Sequence, residues 1–383
     1  MKSNVRVGFL SILDPFDKRA WSGTHYRMKN SLESEFEHVK IIAPIASKKY
    51  INTMVRGIDK IHRILFNKKF NKHQNMIISL HNAKQLRNKL KDVDVLFVPS
   101  SSTLLPFLNT TIPICTFEDA TFDLLLDYYP NYSSFSKLAI TESKYVFKRS
   151  VKKATFSIYS SNWAANSAKQ IYGLSNKQVF EVGFGPNIDV IPERKDVLNK
   201  DFTKTINILF LAKDWSRKGG EIVIETFHTL LKQGMDVSLT ICGCIPPKNY
   251  PEVSVIPFLN KNLNEDLKKF NEIIAQTHLL FVPTRADCTP IVFCEAAAYG
   301  IPVLTTDTGG VSSIIEDGAN GYSMPYDSEI ENYVSRIKFL MNDVSLFKRM
   351  SESSRSKFEK ELNWQCWGKK MKEILIKASK KYS

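Results

Sequence analysis

The sequence has no run of ~18 apolar residues, the length a helix needs to cross a bilayer, so no membrane-spanning helix is expected. It has no Cys-x-x-Cys pair and no Cys/His spacing of a zinc ligand set. Its six cysteines, at 115, 242, 244, 288, 294 and 366, are scattered. A structural zinc site and a secreted disulfide scaffold are thereby excluded, and reduced thiols in a cytosolic protein are expected. Sixteen Gly and sixteen Pro are near average, which removes collagen-like and low-complexity readings. The apolar start, MKSNVRVGFLSILDPF, is cut off by Asp14-Pro15 before any small-residue cleavage site. It reads as a first strand rather than a signal peptide.

What is present is a globular profile, 43% hydrophobic and 24% charged over 383 residues, long enough for two domains. The net charge of +14 is uneven. Residues 1–200 hold 30 Lys/Arg against 17 Asp/Glu, whereas residues 201–383 hold 23 against 22. Residues 351–383 hold 9 against 4, so the basic excess lies at both ends of the chain. An anionic partner is one reading, and solvated Lys-rich faces are the other. Residues 48–72 sharpen the first. Ile51, Met54, Val55, Ile58, Ile61, Ile64, Leu65 and Phe66 recur at helical spacing among Lys48, Lys49, Arg56, Lys60, Arg63, Lys68, Lys69 and Lys72. Such a helix either lies in a lipid interface or turns its apolar side to a core.

Apolar runs mark strands at Val5–Leu10, Val39–Ala43, Val93–Pro99, Ile112–Phe117, Thr155–Ser160 and Val179–Gly183. A second series follows at Ile206–Ala212, Val237–Cys242, Val253–Ile256, Leu279–Pro283 and Val303–Thr305. Continuous apolar strands alternating with helices imply parallel sheets, and two series imply two Rossmann-like domains. The polar stretch 183–205, with Pro186 and Pro192, reads as the hinge. After residue 327 the pattern is helical to Lys381.

Two blocks carry chemistry. Phe210-Leu-Ala-Lys-Asp-Trp-Ser-Arg-Lys-Gly-Gly220 follows a strand and opens a helix over Glu221–Leu231. Glycines at a helix N-terminus let an anion approach the N–H groups, with Lys213, Arg217 and Lys218 beside it. The spacing is not that of a Walker A loop. The second block runs from Arg285 through Asp287-Cys288-Thr289-Pro290-Ile291 and Glu295 to Gly309-Gly310. It leaves the carboxyl end of a strand, where open α/β sheets bind ligands. A carboxylate such as Glu295 suits the two hydroxyls of a ribose; alone, it is equally a capping or salt-bridging residue.

The second block resembles the signature of GT-B glycosyltransferases, specifically the retaining group called family 4. That signature is Glu-x7-Glu, then Ala-x-Ala-x-Gly-x-Pro-Val and a Gly-Gly turn. Glu295, Ala296, Ala298, Gly300, Pro302, Val303, Gly309 and Gly310 fall in register, and Asp287 replaces the first Glu. The family's basic pair is matched by Lys218 and by Lys213, a lysine where Arg is usual, with Arg217 as a substitute. Its glycine loop resembles 21–28, which includes Gly23 and Thr24. Residues 116–122, 160–165 and 183–189 resemble further parts of the N-domain and hinge. The likeness is weakest over 44–92.

The resemblance implies an α/β fold of two Rossmann-like domains facing each other across a cleft. Residues 1–190 with a returning helix at 365–383 would take the acceptor, and 200–364 the donor. A sugar would pass with retained configuration from a UDP- or GDP-linked donor to a glycan or lipid-linked acceptor, in polysaccharide or lipopolysaccharide assembly. Lys218 with Lys213 or Arg217 would neutralise the leaving diphosphate, with no metal and no other cofactor. Glu295 would hold the ribose, Phe258 and Leu259 the base, and Asp287 with residues 288–291 the donor sugar. Asp287, Lys218 and Asp119 are the catalytic candidates, and His25, Glu118 and Asp119 the acceptor contacts. Asp119 could equally cap a helix starting near Ala120, and a lone His such as His25 is commonly a packing residue. Residues 48–72 and the basic last helix would dock on anionic membrane at the cytoplasmic face. Oligomeric state is left open. The competing readings are a catalytically silent homologue, a sugar-nucleotide epimerase or glycan phosphorylase, and a basic nucleic-acid-binding protein; nucleic acid is not expected, since no helix-turn-helix, RRM or zinc-finger pattern occurs.

Overall fold

The computed structural model describes residues 1–381. The last two residues of the expected returning helix lie outside the described residues. The chain forms two compact units, 1–183 with Trp364 onward, and Phe184–Asn363.

The first unit runs β1 (Val7–Leu10), α1 (Thr24–Glu35), β2 (Val39–Ile42), α2 (Lys49–Phe66), α3 (Met76–Leu86) and β3 (Val95–Pro99). It continues with β4 (Ile114–Glu118), α4 (Phe122–Leu125), α5 (Lys137–Lys153), β5 (Phe156–Tyr159), α6 (Asn162–Tyr172) and β6 (Val179–Glu181). The sheet order is β2-β1-β3-β4-β5-β6, and every pairing is parallel. β1, β3, β4 and β5 are buried along their whole length, which is why they read as unbroken apolar runs. Side-chain caps start three of the helices between them, α3, α5 and α6: Asn75 accepts from Ile78 N, Ser136 from Ala139 N and Ser161 from Ala164 N. α4 is preceded by Thr121, whose side chain makes no cap hydrogen bond.

The second unit runs α7 (Arg194–Leu198), β7 (Ile206–Leu211), α8 (Gly220–Lys232), β8 (Val237–Cys242), β9 (Ser254–Ile256) and α9 (Asn264–Gln276). β10 (Leu279–Val282), α10 (Ile291–Ala298), β11 (Val303–Thr306), β12 (Gly321–Met324), α11 (Ile330–Asn342) and α12 (Val344–Lys360) complete it. Its order is β12-β11-β10-β7-β8-β9, again all parallel. The chain therefore reverses direction between β7 and β10, and the loops leaving those strands meet at the switch point. The expected strands are present to within two residues at each end. The missed one, β12, is a four-residue edge strand, Gly-Tyr-Ser-Met, whose alternation is too short to detect.

The last helix, α13 (Trp364–Ser379), belongs to the first unit. Trp367, Met371, Leu375 and Ala378 are buried, and the Trp367 ring meets Phe97 and Phe117 at 5.8 Å each. Ser31 Oγ donates to Trp364 O at 2.7 Å, and Lys372 reaches Glu35 at 3.1 Å, fastening α13 to α1.

Candidate active site

In the second unit the site grows from the loop between β7 and α8. Asp214 Oδ1 accepts from Arg217 N at 3.0 Å, folding residues 214–217 into a turn. Gly219 then precedes α8 with φ +79°. A Cβ there would lie 2.2 Å from Pro283 O, so only glycine lets this loop press against the loop leaving β10. The two loops are sewn together. Arg285 N donates to Arg217 O at 2.7 Å, and Arg217 Nη1 donates to Ala286 O at 2.7 Å. Gly310 N, after β11, donates to Asp287 O at 3.2 Å, which adds a third loop.

At this junction the Lys218 ammonium is in direct contact with the Asp287 carboxylate. Both residues are buried, at 8% and 7% exposure. Two charges held out of water persist only because each answers the other. Cys288, Thr289 and Pro290 are buried beside them, and Ile291 opens α10 half-buried. Lys213 stands exposed at the start of the β7–α8 loop. Phe258, 60% exposed, and the half-buried Leu259 sit on a separate loop after β9, the edge strand.

Glu295, on α10, is 2% exposed. Its Oε1 accepts from Lys261 Nζ at 2.7 Å, and that ammonium lies 3.8 Å from the centre of the Phe270 ring. The sequence does not single out Lys261 as a site residue. It lies 34 residues before Glu295, on the loop after β9, so no local motif joins them. A surface hollow of about 490 Å³, lined by Pro192, Leu267, Lys268, Asn271, Glu272 and Tyr299, takes in none of these residues.

The first unit holds the remaining candidates. Trp21, Ser22 and Gly23 take successive positive φ values of 47°, 57° and 90° and turn the chain into α1. Thr24 and His25, on its first turn, are buried. His25 Nε2 lies 3.5 Å from Ser100 Oγ, so α1 and the β3 exit meet at the β1/β3 switch point. Burial pushes the His25 imidazole down to about 4, which keeps it neutral at neutral pH.

Glu118 ends β4 at 8% exposure, with Asp119 following it half-buried. Burial, and then the neighbouring Asp119, raise the Glu118 carboxyl well above the carboxylate range; backbone N–H groups of Ser101 and Ser102 pull the other way. Glu118 Oε1, Thr116 Oγ1 and Tyr159 OH each lack a hydrogen-bond partner among the described residues. Glu118 pairs with Tyr159 across β4 and β5, and Thr116 shares its face of β4. Thr116 opens the 116–122 segment singled out from the sequence, whereas Tyr159 lies outside it and joins the group only through the pairing of β4 with β5.

Among the described residues, no three His, Cys, Asp or Glu side chains gather where a metal ion could sit. The chain carries one Asp-x-Asp triplet, Asp92-Val93-Asp94, at the amino end of β3, where Asp94 pairs with Arg6 at 2.7 Å.

Residues 192–357 match the family model described as glycosyl transferases group 1. The capsular polysaccharide biosynthesis glycosyltransferase CapM of Staphylococcus aureus is 25% identical over 202 residues, 51% of this chain and 52% of that protein. Protein CapJ of the same species is 27% identical over 200 residues, 49% of this chain and 48% of that protein. The chain thus spans about half the length of the curated relatives it matches. Among solved structures, a glycosyltransferase from Rickettsia africae superposes with TM-score 0.68 at 14% identity, covering 99% of this chain and 100% of that one. Anabaena HepE in complex with UDP superposes with TM-score 0.65 at 14% identity, covering 97% and 100%. WaaG, a glycosyltransferase involved in lipopolysaccharide biosynthesis, superposes with TM-score 0.62 at 15% identity, covering 96% and 99%. The chain has a GT-B fold, and its residues 192–357 are similar to the group 1 glycosyltransferases.

Proposed function

We propose that the chain transfers a hexose, with retained configuration, from a UDP- or GDP-linked donor to a glycan or lipid-linked acceptor in cell-surface polysaccharide or lipopolysaccharide assembly. The observation that carries this is the buried Lys218–Asp287 pair at the β7/β10 switch point, inside the group 1 segment. The named relative CapM and the UDP complex of HepE support the substrate classes.

In this reading the bond from the sugar's anomeric carbon to the diphosphate oxygen breaks, and a bond to the acceptor oxygen forms on the same face. The acceptor's proton passes to the leaving phosphate. Negative charge grows on the diphosphate, where Arg217 and Lys218 stabilise it without a metal, with Lys213 at the loop's outer edge. Asp287 holds Lys218 in place and addresses the donor sugar with residues 288–291. Glu295, oriented by Lys261, accepts from the ribose hydroxyls, and the Phe258–Leu259 loop takes the base. Gly23 and Thr24 border the donor; His25, Glu118 and Asp119 receive the acceptor. A neutral His25 suits uncharged hydroxyls, and burial pushes the Glu118 carboxyl up, towards the uncharged form that suits them too. The work takes place at the cytoplasmic face of a membrane.

The test is release of UDP or GDP from nucleotide sugars in the presence of glycan and lipid-linked acceptor pools. Acceptor-dependent release, lowered ~100-fold or more by Lys218→Ala, is expected. Release that ignores the acceptor, or that Lys218→Ala leaves unchanged, overturns the proposal.

A further inference from the structure

The apolar residues of α2 divide into two sets. Ile51 and Val55 are buried and Ile58 half-buried, and with Phe70, Ile78 and Ala139 they form a small core beneath the helix; the half-buried His62 ring meets Phe70. Tyr50, Met54, Ile61, Ile64 and Leu65 lie on another face and are 62%, 45%, 53%, 71% and 67% exposed. Their spacing, with Gly57 between them, makes one continuous stripe. Lys49, Arg56, Lys60 and Arg63 fall on the third face, beside the stripe.

The acidic side is nearly empty. Asp59 is the one acid in residues 48–72, against eight Lys/Arg. It is buried, accepting from Phe70 N at 2.9 Å and from Arg63 Nε at 3.1 Å. The core therefore accounts for three of the helix's nine apolar residues, Ile51, Val55 and Ile58, and leaves the other six exposed, most of them next to Lys49, Arg56 and Lys60. α13 differs. Trp367, Met371, Ile374, Leu375 and Ala378 are all buried, so its lysines border no exposed apolar stripe.

We propose that α2 is an in-plane docking helix for an anionic lipid surface, inserting Met54, Ile61, Ile64 and Leu65 between headgroups while Lys49, Arg56 and Lys60 meet lipid phosphates. Such a helix sinks ~5–10 Å into the interface. Among the described residues no helix is long and apolar enough to cross a membrane, so the contact is from one side. Charge selects this occupant. A second copy would bring the same basic face and repel, and a nucleic acid has no use for five exposed apolar side chains. The proposal rests on the activity reading only for the lipid-linked acceptor, which docking would bring within reach.

The test is flotation of the full chain with phosphatidylglycerol-containing vesicles, against pure phosphatidylcholine, at rising salt. Expected is binding to the anionic vesicles that salt weakens. Ile64→Glu with Leu65→Glu abolishes it, and Lys49→Glu, Arg56→Glu and Lys60→Glu together weaken it on the order of a hundredfold or more. Binding that none of these substitutions alters, no binding, or loss of a homodimer in place of vesicle binding overturns it. The rise in Tm with UDP or GDP is read on the same variants. Its persistence alongside lost flotation shows that docking and donor binding are separate, and its absence from every variant and from the wild type counts against the donor reading alone.

Discussion

Lys218 and Asp287 lie 69 residues apart and share one buried ion pair. Asp287→Asn leaves the lysine charge buried without its counter-charge, at about 3 kcal/mol of stability. Urea unfolding of the variant should show a lower midpoint at unchanged m-value. Glu118 predicts the opposite sign. Its carboxyl is raised in the folded state, so an ordinary unfolded carboxyl loses its proton first and stability declines as pH rises above the usual carboxylate range. Glu118→Gln keeps an acceptor and removes the titration. It should be more stable than wild type by about 1 kcal/mol near pH 8, with less advantage near pH 5, by thermal unfolding. Lys218, Asp287 and Glu295 were legible as residue types because they fall in one motif-rich string each. Lys261 was not, because its meeting with Glu295 depends on where the loop after β9 travels, and Tyr159 was not, because only the pairing of β4 with β5 sets it beside Glu118.

At the scale of elements, the β7–α8 loop is the part whose shape is least forgiving. Gly219→Ala would set a Cβ against Pro283 O and force a side chain onto a positive φ. The strain is of order 1–3 kcal/mol, and it falls on the junction that holds Arg217 and Lys218. Calorimetric titration with the cognate nucleoside diphosphate should show weakened binding together with the lower Tm. Strands such as β3 and β10 were readable because burial on both faces writes an unbroken apolar run. β12 was not, since four residues beginning with glycine carry no period. α2 was readable as a helix, but its periodicity could not say which apolar side faced the core. Ile51 and Ile61 look alike in sequence and differ only in that one has neighbours above it.

For the whole molecule, acid is the expected route to unfolding. His25 and His278 are both held down to about 4, chiefly by burial. His278 Nδ1 also accepts from Asn207 N at 3.0 Å, a bond a proton would break. Each ring stays neutral in the folded protein to about pH 4, yet takes up a proton near 6.5 once unfolded. Stability therefore falls as pH drops through that window, by up to about 3 kcal/mol from His25 alone. Denaturant midpoints measured across it should shift down, and His25→Gln should flatten the slope. The two parallel sheets followed from the alternation of apolar runs with helical patterns, because each crossover needs its own helix. The position of each switch point did not, because strand order is a matter of which edges pair.

The central claim is a nucleoside-diphosphate site built on Lys218, Asp287 and Glu295. The most direct measurement is thermal unfolding of wild type and Glu295→Ala with UDP, GDP and ADP. At ~100 times its dissociation constant, one nucleotide should add ~2.7 kcal/mol to the wild type and nothing comparable to the variant. The same titration names the base. No shift with any of the three, or an equal shift in Glu295→Ala, would contradict the account.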